Sequence, residues 1–252
     1  FLRDQNDYLE QEVRRRTEQL QAIQDVTIMA MASLAETRDN ETGNHIRRTQ
    51  FYVSALALKL SVHPRFQRQL DRAFIDTLFK SAPLHDIGKV GIPDHILLKP
   101  GKLTPDEFEI MKTHTVLGRN AIEHAEMQLG VHVDFLACAK EIAYFHHEKW
   151  NGGGYPEGLA DERIPVSARL MAIADVYDAL ISRRVYKPAM PHARALEIIR
   201  EDRGRAFDPD MVDAFLDIQE EFAAIAARYH DSDDDIEALA RRTEAACGGT
   251  SA

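Results

Sequence analysis

At 252 residues, 44% of them hydrophobic, the chain can bury the core of one domain of roughly 200 residues with extensions. A net charge of −10 disfavours non-specific association with nucleic acid polymers, and no apolar run approaches the roughly 20 residues that span a bilayer. The amino end lacks the charged-then-apolar pattern of a secretory signal and begins at Phe1 rather than Met, so we expect part of a longer, cytoplasmic protein.

The first thirty residues carry a heptad. Val13, Leu20 and Thr27 fall on one seam position and Leu2, Leu9 and Ile23 on the other, with Asn6 and Arg16 interrupting. The alternating spacing of 9, 13, 16, 20, 23 and 27 suits a parallel two-helix coiled coil, and hence a homodimer. One amphipathic helix lying on its own domain is the other reading of so short a run.

Helical patterns separated by Gly/Pro punctuation follow: "RFQRQLDRAFIDTLFKSA", "TPDEFEIMKTHTVLGRNAIEHA", "VDFLACAKEIAYFHHE", "VSARLMAIADVYDALIS", "HARALEIIRED" and "PDMVDAFLDIQEEFAAIAARY". Thr104 and Glu107 form a capping box with Pro105 at the first helical position. Runs with strand character are scarce, so the expected fold is an all-α bundle. We divide the chain into a connector helix (1–29), a domain (30–228) and a tail (229–252). Residues 231–252 hold six acidic residues against two arginines, −4 of the total −10, and the tail is expected to be solvated and without function. Cys138 and Cys247 form no C-x-x-C pair, and Cys138 reads as a buried, inert thiol.

The chemistry lies in histidines and carboxylates. "ETGNH" sets Glu41 and His45 four apart, on one helix face, where both can reach one ion. "HDIGK" sets His85 beside Asp86; one imidazole and one carboxylate in a turn can bridge two cations. His114 stands in "EIMKTHTVLG", His146 and His147 open "HHEKWNGGGYP", and Asp175 stands in "AIADVYDAL". A lone helical histidine is ordinarily a packed or exposed residue. We read His63, His95, His124, His132, His192 and His230 that way. It is the combination, with no thiolates, that suits iron, manganese or zinc. The glycines after the histidine pair are expected to turn sharply and to let backbone approach a ligand.

"HDIGKVGIPDHILLKPGKLT", then "HHEKWNGGGYP", then "IPVSARLMAIADVYDALIS" resemble, in the family's order, the HD-GYP branch of the HD-domain metal-dependent phosphohydrolases, over roughly residues 30–215. The resemblance implies a cyclic di-GMP phosphodiesterase giving pGpG and/or GMP. It implies two or three divalent ions, iron or manganese, held by Glu41, His45, His85, Asp86, His114, His146, His147 and Asp175. Asp86 would bridge two ions, and a glutamate at the Glu41 position would accompany a third. Lys89 matches the lysine beside the substrate phosphate, Gly154, Tyr155 and Pro156 the loop that shapes the substrate pocket, and Arg184 and Lys187 contacts to phosphate or guanine. Water activated by the ions would attack phosphorus in line, Asp86 and Lys89 being the catalytic residues. The family commonly has aspartate where Asn151 stands and proline where Val185 stands. "LEQEVRRRTEQLQAIQDVTIMAMASLAETRD" is similar to the connector between a receiver domain and an HD-GYP domain in response regulators. Two alternatives stay open: a cyclic di-GMP sensor or partner-binding module without turnover, and a phosphohydrolase acting on another cyclic nucleotide or dinucleotide.

Overall fold

The computed structural model describes residues 2–38, 43–130, 133–183 and 189–232, with Asp234, Glu237 and Ala240. Among these the fold is helical throughout, its only β-pairings being the isolated bridges Asn151–Ala160 and Arg203–Phe207. In chain order the helices are α1 (Leu2–Glu36), α2 (Gly43–Leu60), α3 (Arg72–Ser81), α4 (Asp94–Leu97), α5 (Pro105–Lys112), α6 (His114–Leu129), α7 (Asp134–Phe145), α8 (Val166–Ile181), α9 (His192–Glu201), α10 (Pro209–Asp217) and α11 (Gln219–Arg228). None is long and apolar enough to cross a membrane.

The core forms around α8, whose sequence "VSARLMAIADVYDALI" is apolar on nearly every face and which therefore has to be enclosed. Leu170, Met171, Ile173, Ala174 and Tyr177 on it are fully buried. Tyr52 of α2 stacks on Phe222 of α11 at 4.6 Å and meets Tyr177 edge-on at 5.2 Å. Each such side chain contributes about 2 kcal/mol when withdrawn from water.

The long α1 divides by burial. Its seam residues Leu9, Val13, Leu20 and Ile23 are 53–68% exposed, whereas Ile28, Ala32 and Ala35 form a buried stripe facing the rest of the fold. At its end Arg38 donates to the carbonyls of Val90 and Ile92 and to the Asp94 carboxylate, fastening α1 to the segment that follows His85–Asp86.

Three expected runs end differently. The run from Arg65 is turn up to Leu70; α3 begins at Arg72, with the Asp71 carboxylate accepting from Phe74 N at 2.8 Å as N-cap. The run from Thr104 is two helices, because the Thr113 hydroxyl and His114 Nδ1 take the carbonyls of Ile110 and Met111 at 2.6 and 2.8 Å and close the α5 end. The last run breaks at Ile218, with no glycine or proline marking the place. The Thr104–Glu107 capping box is present as read.

Asp208, 1% exposed, gathers a buried charged knot ahead of α10. It accepts from Arg65 at 2.9 and 2.6 Å and from Arg169 at 2.6 Å, and both guanidiniums lie over the Trp150 ring. This knot anchors the glycine loop to the core. Asp208→Ala leaves two guanidiniums short of an anion, and stability should fall by about 3 kcal/mol in urea denaturation with an unchanged m-value.

Candidate metal centre

Five separate elements deliver the histidines and carboxylates to one place. His45 stands in the first turn of α2, and His85–Asp86 in a tight turn between two short 3-10 helices, Ala82–Leu84 and Ile87–Gly91. His114 opens α6, His146 and His147 follow directly on the end of α7, and Asp175 lies in α8. The Asp86 turn can approach α6 only because residue 88 has no side chain. A Cβ at Gly88 would lie 1.9 Å from the His114 carbonyl oxygen and 2.5 Å from Gly118 N.

Two groups result: Asp86, His114, His146 and His147 in one, and His45, His85 and Asp175 in the other, the ligand atoms within each lying within 4.8 Å of one another. Asp86 touches both. Its Oδ1 is 3.3 Å from His114 Nε2 and 3.6 Å from His146 Nε2, while its Oδ2 is 3.2 Å from His85 Nε2 and 2.7 Å from Lys89 Nζ. His45 Nε2 lies 3.3 Å from His85 Nε2 and 3.9 Å from Asp175 Oδ1.

The outer nitrogen of each buried ring decides what the inner one can do. Nδ1 of His85 donates to Ala82 O at 2.9 Å, that of His114 to Met111 O at 2.8 Å, that of His146 to Ile142 O at 2.9 Å and that of His45 to the Asp178 carboxylate at 2.8 Å. A carbonyl or carboxylate cannot donate, so in the neutral rings every hydrogen sits on Nδ1 and every Nε2 presents a lone pair inward. Lone pairs facing one another and a carboxylate cannot be hydrogen-bonded. Asp86 Oδ1, His114 Nε2 and His146 Nε2 are in fact buried with no hydrogen-bond partner. Orphaned acceptors of this kind, imidazole and carboxylate without thiolate, fit divalent cations.

The electrostatics agree. Burial lowers the His114 pKa to about 4 and, with His146 adjacent, lowers that of His147 well below the imidazole range, so both rings stay neutral. Burial opposes charge on Asp86 too, but Lys89 and His85 outweigh it and hold the carboxyl well below its usual range. Burial likewise opposes charge on His85, yet Asp86 outweighs it and raises the pKa, which marks the spot as one that favours positive charge.

Asp178, absent from the expected set, accepts from His45 Nδ1 and also from Arg48 Nε and Nη2, at 2.6 and 3.0 Å. Burial would raise its pKa; His45 and Arg48 hold it below the carboxylate range. The only signal in the sequence is its place three residues after Asp175, one helical turn along the same face.

The glycine loop forms the adjoining wall. The Glu148 carboxylate accepts from the backbone N–H of Glu157 and Leu159 at 2.7 and 3.0 Å, and the Asn151 side chain from Gly153 N at 3.0 Å, as an aspartate would. Gly154 has a structural reason beyond ligand approach, since a Cβ there would lie 2.3 Å from Lys149 N. Tyr155 places its ring 4.8 Å from that of His147 and edge-on to Phe108, and Pro156 follows it through a cis peptide. Burial keeps the Tyr155 phenol protonated. Of the expected residues, Glu41, Arg184 and Lys187 lie outside the described residues.

An all-helical bundle enclosing a buried two-part imidazole–carboxylate cluster that meets at one aspartate has the donor set of a metal site. The family model described as "HD domain" matches residues 29–211, and the chain belongs to that family. Two proteins of Vibrio cholerae serotype O1, named "Probable cyclic di-GMP phosphodiesterase" and "Cyclic di-GMP phosphodiesterase", are each 57% identical, over 233 and 214 residues. Those matches take in 92% and 85% of this chain but 53% and 43% of the relatives, so the chain spans about half the length of the curated relatives it matches. A solved Vibrio cholerae structure, described as a cyclic GMP-AMP specific phosphodiesterase, shares the fold with a TM-score of 0.51 at 18% identity, over 90% of this chain and 60% of that one.

Asp86→Ala should leave the fold intact and remove the carboxylate that both groups share. Elemental analysis of the purified variant should find metal content reduced to a small fraction of wild type.

Proposed function

We propose that the chain hydrolyses a 3′–5′ phosphodiester of cyclic di-GMP, yielding pGpG and/or GMP, with two or three divalent ions of iron or manganese held by the two groups. What carries this reading is Asp86, whose oxygens face different imidazole groups while Lys89 lies on one of them. The names of the two 57%-identical relatives support the substrate.

The ions, when bound, supply Lewis-acid activation of water at neutral pH and charge neutralisation at the phosphodiester. The chain's own residues do the rest. Asp86, His114, His146 and His147 would hold one ion, and His45, His85 and Asp175, with Asp86 alongside, another; Glu41 would serve a third. Lys89 Nζ, beside Asp86 Oδ2, offers a cation to the phosphate oxygens as charge develops there. Tyr155, protonated and packed on His147, offers a neutral donor to a phosphate or ribose oxygen and shields that side from water. Arg184 and Lys187 are assigned to phosphate or guanine on resemblance alone. Turnover assays with cyclic di-GMP and 3′3′-cGAMP, with product chromatography, test the reading; a metal-loaded protein that cleaves neither overturns it.

Lys89→Ala should keep its metal and lose about 100-fold in kcat, the usual effect of removing one charge-stabilising donor. Metal analysis alongside kinetics at saturating substrate separates the two effects.

We further propose a cytoplasmic homodimer joined through the exposed α1 seam, with a receiver domain upstream and the division 1–29, 30–228 and 229–252. The exposed row of Leu9, Val13, Leu20 and Ile23 supports the dimer. Light scattering should find a dimer for the chain and a smaller mass once residues 1–27 are removed.

A further inference from the structure

The tail was expected to be solvated and idle, yet its first residues are docked on α2. Arg48, 3% exposed, satisfies all five guanidinium hydrogens: Nε and Nη2 on the Asp178 carboxylate at 2.6 and 3.0 Å, Nη2 also on Ser182 Oγ at 2.9 Å, and Nη1 on the Tyr229 carbonyl at 2.8 Å and Asp231 Oδ2 at 3.0 Å. The Tyr229 ring stacks on Phe51 at 5.0 Å with planes 11° apart, and Asn44 donates to the His230 carbonyl at 3.3 Å. The Asp231 side chain is only 8% exposed.

This arrangement reaches the metal cluster through one oxygen. Asp178 Oδ2 accepts from both His45 Nδ1 and Arg48 Nη2, so the direction in which Arg48 is pulled decides how Asp178 meets His45. Asp231 and the Tyr229 carbonyl hold the guanidinium by Nη1, the nitrogen that does not bond Asp178. Without them a buried cation has Asp178 as its sole anion and competes for the oxygen that fixes the ring. His85, His114 and His146 lean instead on backbone carbonyls within their own turns. Only the group that holds His45 therefore has a ring supported through side chains.

We propose that Asp231 is a positioning residue for the His45–His85–Asp175 group, acting through Arg48 and Asp178 on the tautomer and plane of His45, so that the segment after α11 belongs to the support of that half of the site alone. The proposal rests on the metal reading above.

Mn²⁺ uptake by the whole chain, titrated against a competing chelator and followed by EPR, tests it. Wild type should bind in two classes. Asp231→Ala should weaken one class by about 10-fold, leave the other unchanged and keep the far-UV circular dichroism of wild type, with Asp231→Glu restoring much of the loss. Asp178→Asn should weaken the same class by about 10- to 100-fold. Wild-type binding in both classes by Asp231→Ala overturns the proposal, as does equal weakening of both classes. A wild-type chain that takes up no Mn²⁺ overturns the metal reading and the proposal with it, whereas intact wild-type uptake with an indifferent Asp231→Ala leaves the metal reading standing.

Discussion

Four buried imidazoles aim lone pairs at one another and at two carboxylates, Asp86 and Asp175, and the rest of the site is arranged around making that tolerable. Left to itself each ring would turn and pair its inner nitrogen with a donor. Each is prevented because its Nδ1 hydrogen is tied to a fixed acceptor, three of them backbone carbonyls in the ring's own turn. Backbone carbonyls are good acceptors for this purpose, since they cannot titrate or rotate independently of the helix that holds them. The cluster is thereby preorganised for cations rather than assembled by them.

Holding these groups together requires close backbone contact more than many side-chain bonds. The Asp86 turn rides on α6 through Gly88 and Gly118, where the backbones nearly touch. On the far side, the Asp208 knot anchors the segment that carries His146, His147 and Tyr155, its two guanidiniums lying over the Trp150 ring. Both devices put immobile structure directly behind the reactive groups, which is what a site acting by geometry and charge needs.

Much of this was legible in the sequence, for a physical reason. Motifs such as "HDIGK" and "HHEKWNGGGYP" are short because a tight turn and a helix end each fix two of the cluster's side chains locally, so type and spacing carry the information. The helical class followed from apolar periodicity and the α5 start from its capping box. What escaped notice depends on partners distant in sequence. Asp178 matters because His45 and Arg48 lie 133 and 130 residues away, and Asp231 because it meets Arg48 across 183. An acidic residue in a run of acidic residues gives no sign of this. The full extent of α2 and the break at Ile218 were also unmarked, the break because no glycine or proline stands there.

The fastening of Arg38 gives α1 a mechanical character. A helix of 35 residues is a rod about 50 Å long, stiff in torsion because every turn is cross-linked by its hydrogen bonds. One end is bolted to the carbonyls of Val90 and Ile92 and to Asp94, on the strip of backbone that carries Asp86 and Lys89. Such a rod has the form of a crankshaft: a roll imposed on its distal turns would be delivered at the bolted end, on the backbone that follows Asp86 and Lys89.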